Sequence, residues 1–172
     1  MTRTLVGTAG WSLPKAEQPA FPPEGSHLTR YAARFPVAEI NSSFHRPHRA
    51  STWARWAAET PEHFRFSAKI PKTITHERRL VDAEAPLDAF LAEAAGLGEK
   101  LACLLVQLPP SLAFDDGIAR AFFAALRTRT AAAVACEPRH PTWFACARWW
   151  LCFEDRSSHS RSAIQMPRQR FR

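Results

Sequence analysis

The chain has 172 residues, 46% of them hydrophobic and 23% charged, with a formal net charge of +7. That length suits one domain with a sizeable core, and the composition is that of a folded globular protein, which sets disorder aside as the default. The charge excess is diffuse: the last 20 residues carry a net +3, and the first 152 carry +4 without a dense Lys/Arg block. It reads as a solvated surface, and a nucleic-acid partner stays the weaker alternative.

The four cysteines form no CxxC pair, and Cys103 and Cys136 lie within apolar runs. Buried free thiols in a reducing compartment explain them best. The N-terminus lacks the basic start and apolar stretch of a signal peptide, and no apolar run reaches the roughly 20 residues of a membrane span. A cytoplasmic protein of bacterial type, with no membrane partner, is the expectation.

Strand-length apolar segments alternate with helix-length amphipathic ones. Residues 4–8 read as a first strand, ended by Gly7 and Gly10, and a Pro-rich loop runs from Pro14 to Pro23. Ser26 is placed to cap a helix whose Leu28, Tyr31, Ala32 and Phe35 share one face. A second strand spans 37–41. A helix over 52–59 carries Trp53, Trp56 and Ala57 on its core side and stops at Pro61. Residues 64–69 alternate strictly between apolar and polar, as a third strand should. A helix over about 86–97 ends at Gly96 and Gly98. The nearly continuous apolar run 101–108 predicts a fourth strand covered on both faces. Asp115 caps a helix with Ile118, Phe122 and Leu126 on its face; a fifth strand over 131–137 follows, and Pro141 or Thr142 opens a fifth helix.

This alternation predicts an α/β fold with a parallel sheet and covering helices. Two architectures fit: a complete five-stranded doubly wound sheet, or the first part of an eight-stranded barrel, which takes about 250 residues. Gly7-Thr8-Ala9-Gly10 is not the Gly-rich turn of a dinucleotide fold, and no P-loop appears.

In parallel α/β folds ligands meet the carboxyl ends of the strands, and here those ends are polar. Trp11 and Ser12 follow the first strand. Glu39 and Asn41 share a face of the second, followed by His45 and Arg46. Lys69 ends the third, with Thr75 and His76 beyond it. Gln107 ends the fourth, and Glu137, Arg139 and His140 end the fifth. Burying Glu39, Lys69 and Glu137 costs free energy unless they pair or meet a ligand. The candidate acid–base groups are Glu39, Lys69, His76, Glu137 and His140. Trp11, Asn41, Arg46, Gln107 and Arg139 are the candidate substrate-binding groups, and the cations suit a small anionic molecule. The competing structural reading is a Lys–Glu network plugging the end of the sheet. His76 reads equally as a helix-entry cap. The pair His45 and His48 lacks a third ligand, so no metal is assigned; no cofactor is legible either.

Several of these stretches together resemble the YecE-like family, known as domain of unknown function 72. They are Gly7-Thr8-Ala9-Gly10-Trp11-Ser12, Glu39-Ile40-Asn41-Ser42-Ser43-Phe44, Phe64-Arg65-Phe66-Ser67-Ala68-Lys69, Ile74-Thr75-His76, residues 105–111, and Cys136-Glu137-Pro138-Arg139-His140-Pro141-Thr142-Trp143. The resemblance covers residues 3 to about 144. It implies a TIM-type (β/α) barrel and matches Glu39, Asn41, Lys69, His76, Gln107, Glu137, Arg139 and His140 to the family's polar positions. It supplies no reaction, so enzyme status stays open. His45 stands where an aromatic Tyr is expected.

The family's barrel continues through three more strands, including an Arg-Leu-His-Gly-like and a Phe-Asp-Asn-like one, and nothing here resembles either. The expected organisation is a partial barrel of about five of eight units over 1–152 and a disordered basic tail over 153–172. A frameshift near Ala145 accounts for the change of character; a natural short form with its own tail is the alternative. Open sheet edges in such a fragment are expected to drive self-association, and catalysis by this chain alone is not expected.

Overall fold

The computed structural model of the chain describes residues 4–145. The tail over 153–172 and the proposed change of frame therefore lie outside the described residues, as do Cys146 and Cys152.

Five strands form one sheet: β1 (Thr8–Ala9), β2 (Val37–Ile40), β3 (Arg65–Lys69), β4 (Leu101–Gln107) and β5 (Ala133–Glu137). All neighbours pair in parallel, in the order β1-β2-β3-β4-β5. A doubly wound sheet reverses its strand order at a switch point. This one never does, so the doubly wound alternative is overturned. The sheet is open among the described residues, with β1 and β5 as its edges.

The helices are α1 (His27–Ala32), α2 (Ala50–Ala58), α3 (Glu84–Ala94), α4 (Asp116–Arg127) and α5 (Thr142–Ala145). Ser26 and Asp115 cap α1 and α4 as their sequence positions predict, each side chain accepting from the backbone N–H three residues on. A tight 3₁₀ segment, Ala95–Lys100, links α3 to β4. Gly96 is required there, because a Cβ at that position would stand 2.6 Å from the Ala50 carbonyl oxygen of α2. The Lys100 ammonium then donates to the carbonyls of Ala57 and Thr60 at 2.6 and 2.7 Å, capping the end of α2.

The two faces of the sheet differ. Ala38, Ile40, Phe66, Ala68, Leu104, Val106, Val134 and Cys136 are buried and share one core with Tyr31, Trp53, Leu87, Phe90, Phe123 and Leu126 from the helices. The alternate residues Glu39, Ser67, Cys103, Leu105, Gln107, Ala135 and Glu137 are only half-buried. Helices thus cover one face and leave the other open.

Two expectations need correcting. The fourth strand is not covered on both faces: Leu104 and Val106 are buried, while Cys103, Leu105 and Gln107 are not. A continuous apolar run hides this alternation, because Cys103 and Leu105 are apolar yet lie on the open side. Cys103 is accordingly half-buried rather than enclosed, whereas Cys136 is buried as expected. The first strand is also shorter than expected and shifted, because Val6 is 67% exposed and only Thr8 and Ala9 pair with β2. Gly7 lies so close to β2 that a Cβ would collide with the Val37 carbonyl. Tyr31 then ties the edge down: its hydroxyl accepts from Thr8 N–H at 2.8 Å and donates to Val37 O at 3.0 Å.

Among the described residues, no helix is long and apolar enough to cross a membrane.

Candidate functional site

The parallel strands bring their carboxyl ends to one edge of the open face, and the polar residues collect there. Ser43, in the short turn after β2, joins two strand ends: its hydroxyl lies 2.8 Å from Ile40 O and 2.6 Å from Lys69 O. This holds β2 and β3 at a fixed separation and aims Lys69. The Lys69 side chain is buried, yet its charge is provided for. It donates to Asn41 Oδ1 at 3.2 Å, and its Nζ sits 4.2 Å from the centroid of the Phe44 ring. A cation over an aromatic face is favourable, more so away from water.

Glu137, at the end of β5, is engaged on both oxygens. Gln107 donates to one at 2.9 Å, and Arg139 donates to the other through Nε and a terminal nitrogen at 3.2 and 3.1 Å. These contacts fix Arg139 at the open end of the sheet, still half-exposed.

Glu39 stands in contrast. Its carboxyl makes no hydrogen bond or ion pair among the described residues. Burial raises its pKa above the ordinary value of 4.5; Lys69 pulls it down and Glu137 pushes it further up. Desolvation is the leading cause, so this carboxyl holds its proton more readily than an exposed one. Its register neighbours on the open face are small: Ser67 lies beside it and Cys103 beside Ser67. Burial likewise raises the Cys103 thiol.

His76 lies in a π-helical turn, Thr73–Glu77, that follows β3. Its ring meets Phe44 edge to face at 4.9 Å, and its Nδ1 is 2.9 Å from Thr75 Oγ1. Burial lowers its pKa first, with Lys69 and Arg139 adding to the effect, so the imidazole is neutral near pH 7. Glu39, Asn41, Lys69, His76, Gln107, Glu137 and Arg139 therefore belong to one neighbourhood. It contains a protonatable carboxyl, a neutral imidazole and two cations.

Three other candidates stand apart from this group. Trp11 packs edge to face on Trp56 of α2 and on Phe66, whose side chain belongs to the helix-covered core. Arg46 lines a separate cleft against α3. His140 is used locally: its Nδ1 accepts from Thr142 N–H at 3.3 Å and lies 2.9 Å from Thr142 Oγ1, at the start of α5. His48 turns inward, with Nε2 2.8 Å from Ser42 Oγ and its ring against Trp53 and Trp56. No group of three or more His, Cys, Asp or Glu able to hold a metal occurs among the described residues. Sequence reasoning assigned no role to Phe44 or Ser43. The available signal was an aromatic directly after a polar strand end, within reach of a strand-end lysine.

The loops at this edge are joined one to the next. Ser43 clips the second loop to the end of β3. Arg79 donates to Ser111 O at 2.8 Å, linking the third to the fourth. Trp143 Nε1 donates to Leu112 O at 2.9 Å and Phe114 N–H to Thr142 Oγ1 at 2.7 Å, linking the fourth to the fifth. Within the third loop, Arg79, Leu80 and Asp82 all adopt positive φ, a strained choice for residues with side chains.

Comparison with known proteins places this arrangement. The chain is 30% identical to UPF0759 protein YunF of Bacillus subtilis over 111 residues, 61% of this chain and 39% of that protein. It is 28% identical to UPF0759 protein YecE of Escherichia coli K12 over 104 residues, 60% of this chain and 37% of that one. The chain thus spans less than two fifths of these relatives. A DUF72 family protein from Thermotoga maritima shares the fold, with TM-score 0.67 at 23% identity, over 87% of this chain and 60% of that one. A DUF72 family protein from Enterococcus faecalis matches with TM-score 0.60 at 26% identity, over 69% and 46%. The family model described as protein of unknown function DUF72 matches residues 5–158, and the chain belongs to that YecE-like family.

Proposed function

We propose that the chain is five units of a TIM-type barrel and that the polar end of its open face binds a small anionic molecule and exchanges a proton with it. Sequential strand order and one-sided helix cover support the barrel reading. The open face departs from the usual filling of a barrel interior by bulky branched residues: Ser67, Cys103, Ala133 and Ala135 are small and leave space for a ligand. With its inner face open, the isolated chain is expected to self-associate, and turnover by it alone is not expected.

The observation that carries the proposal is the contrast between the two carboxyls. Glu137 is saturated by Gln107 and Arg139 and serves to orient the guanidinium. Glu39 is half-buried, without a hydrogen-bond or ion-pair partner among the described residues, close enough to Lys69 to feel its charge, and raised in pKa. A plug would pair its charges; here one carboxyl is left available. Glu39 is the proton-exchanging group, His76 a second acceptor, and Lys69 with Arg139 the anion holders.

The test titrates the full chain by ¹³C carboxyl NMR, with malonate as the probe anion. Glu39 should titrate above 4.5, and Lys69→Ala should move it higher by removing a stabilising charge. Malonate affinity should fall roughly tenfold in Lys69→Ala, the worth of one charge-assisted hydrogen bond. A Glu39 midpoint that ignores Lys69→Ala, or undiminished malonate binding in the Lys69→Ala/Arg139→Ala variant, overturns the reading.

A further inference from the structure

Phe44 also borders a second concave feature. It is a cleft of about 280 Å³ between the turn after β2, the start of the loop after β3, and α3. Its floor and walls are mainly apolar, from Phe44, Pro47, Pro71, Pro86, Ala89 and Phe90, and its rim carries Arg46, Lys72 and Glu93. Nothing in the proposed proton exchange uses it.

The rim charges are not equivalent. Lys72 is paired with Glu77 at 3.3 Å. Glu93 accepts from His48 N–H at 3.1 Å, which fixes its carboxylate at the cleft. Arg46 is exposed and makes no ion pair among the described residues. The lining thus includes one guanidinium without an ion pair among the described residues and one fixed carboxylate. One guanidinium suits one carboxylate in a forked pair, while the neighbouring Glu93 repels a second negative charge. The volume lies just below the ordinary range for drug-sized ligands, about 300–1,000 Å³, so one ring with a short arm fits better than a larger molecule. The rigid proline and phenylalanine walls suit a flat ring, since they lose little side-chain freedom on contact.

We propose that this cleft is a second binding site, separate from the polar end of the open face, and that it takes a small aromatic monocarboxylate. The ring lies between Phe44, Pro47, Pro86 and Phe90, and the carboxylate reaches Arg46. Phe44 is the shared wall: one face of its ring receives the Lys69 ammonium, and the side chain also borders the cleft. A ligand here would therefore stabilise the aromatic seat of Lys69.

Phenylacetate is the probe, followed by saturation-transfer and backbone-amide NMR on the full chain. Shifts should concentrate at Phe44–Arg46 and Ala89–Glu93. Arg46→Ala, an exposed position that leaves the core untouched, should weaken phenylacetate roughly tenfold. Ala89→Phe should abolish it by filling the cleft, with circular dichroism checking the fold. Lys69→Ala should leave it within a factor of about two, since Lys69 is not among the residues that line the cleft. Phenethylamine, of the same shape and opposite charge, should not bind, and phenyl phosphate should bind less well than phenylacetate. Equal binding by phenethylamine, or phenylacetate affinity unchanged in Arg46→Ala, overturns the proposal. So does tighter binding by phenyl phosphate, which would show that Glu93 does not set the charge limit.

Discussion

The two faces of one five-stranded sheet are built from the same strands, residue by residue in alternation, yet they have opposite characters. On the helix-covered face Ile40, Phe66, Ala68, Leu104 and Val106 are almost wholly enclosed. On the other face their neighbours Glu39, Ser67, Cys103 and Leu105 are only half-buried. The period of two along a strand permits this separation, because stability and chemistry can be assigned to alternate residues with little interference. The first face binds the domain together, and the second is left free to carry charge.

The sharpest way to break the comparison is to truncate residues of neighbouring strands on opposite faces. Phe66→Ala removes a fully buried ring packed on Phe64 and should cost about 3–5 kcal/mol in urea unfolding. Cys103→Ala, on the open face, should cost less than about 1 kcal/mol, in the range of substitutions away from a packed core. Equal costs would mean that the open face is packed against something in solution. Tyr31→Phe comes next. It removes the hydroxyl that joins Thr8 N–H to Val37 O and should cost about 1–2 kcal/mol. It should also speed amide exchange at Thr8 before the rest of the sheet opens.

A smaller effect concerns pH. Burial holds His76 and His48 below the ordinary 6.5. The unfolded chain therefore takes up protons that the folded chain refuses. Stability from these groups is complete above the unfolded value and falls as the pH drops below it. The melting temperature should decline from pH 7.5 to 5.5, and less steeply in the His48→Gln/His76→Gln variant. The smallest effect has the opposite sign. Glu39 is raised in pKa, so its folded carboxyl holds a proton that the unfolded one has released. Stability falls as the pH rises from 4.5 through the folded value. Glu39→Gln should accordingly raise the melting temperature at pH 7 by about 2 °C, and the gain should vanish below pH 4. A loss of stability instead would identify Glu39 as a structural partner.

Much of the covered face was legible in the sequence. Capping by Ser26 and Asp115 and the strict alternation of 64–69 rest on local chemistry, and local chemistry is what a sequence displays. The open face of β4 was not legible, because Cys103 and Leu105 look like core residues until the sheet is seen to lack a second layer. The shortened first strand was hidden for a related reason: residues 4–8 have strand character, but pairing depends on how far β2 extends beside them. In the candidate site, position at the carboxyl end of a strand was enough to indicate Lys69, Glu137 and Gln107. It could not separate Arg46 from them, because the turn that begins at Ser42 carries Arg46 around to the α3 side. Nor could it distinguish the saturated Glu137 from the unpartnered Glu39, since that difference depends on contacts across strands.

The clips between successive loops have a consequence for motion. Ser43 ties the loop after β2 to the end of β3, Arg79 ties the loop after β3 to the loop after β4, and Trp143 ties that loop to α5, so none of these three loops can swing over a ligand without breaking a hydrogen bond to its neighbour. The rim should respond to binding as one stiff band, with correlated amide relaxation from Ser43 to Trp143. Slow opening would then belong to the band as a whole, and a ligand would enter from the open face rather than under a lid.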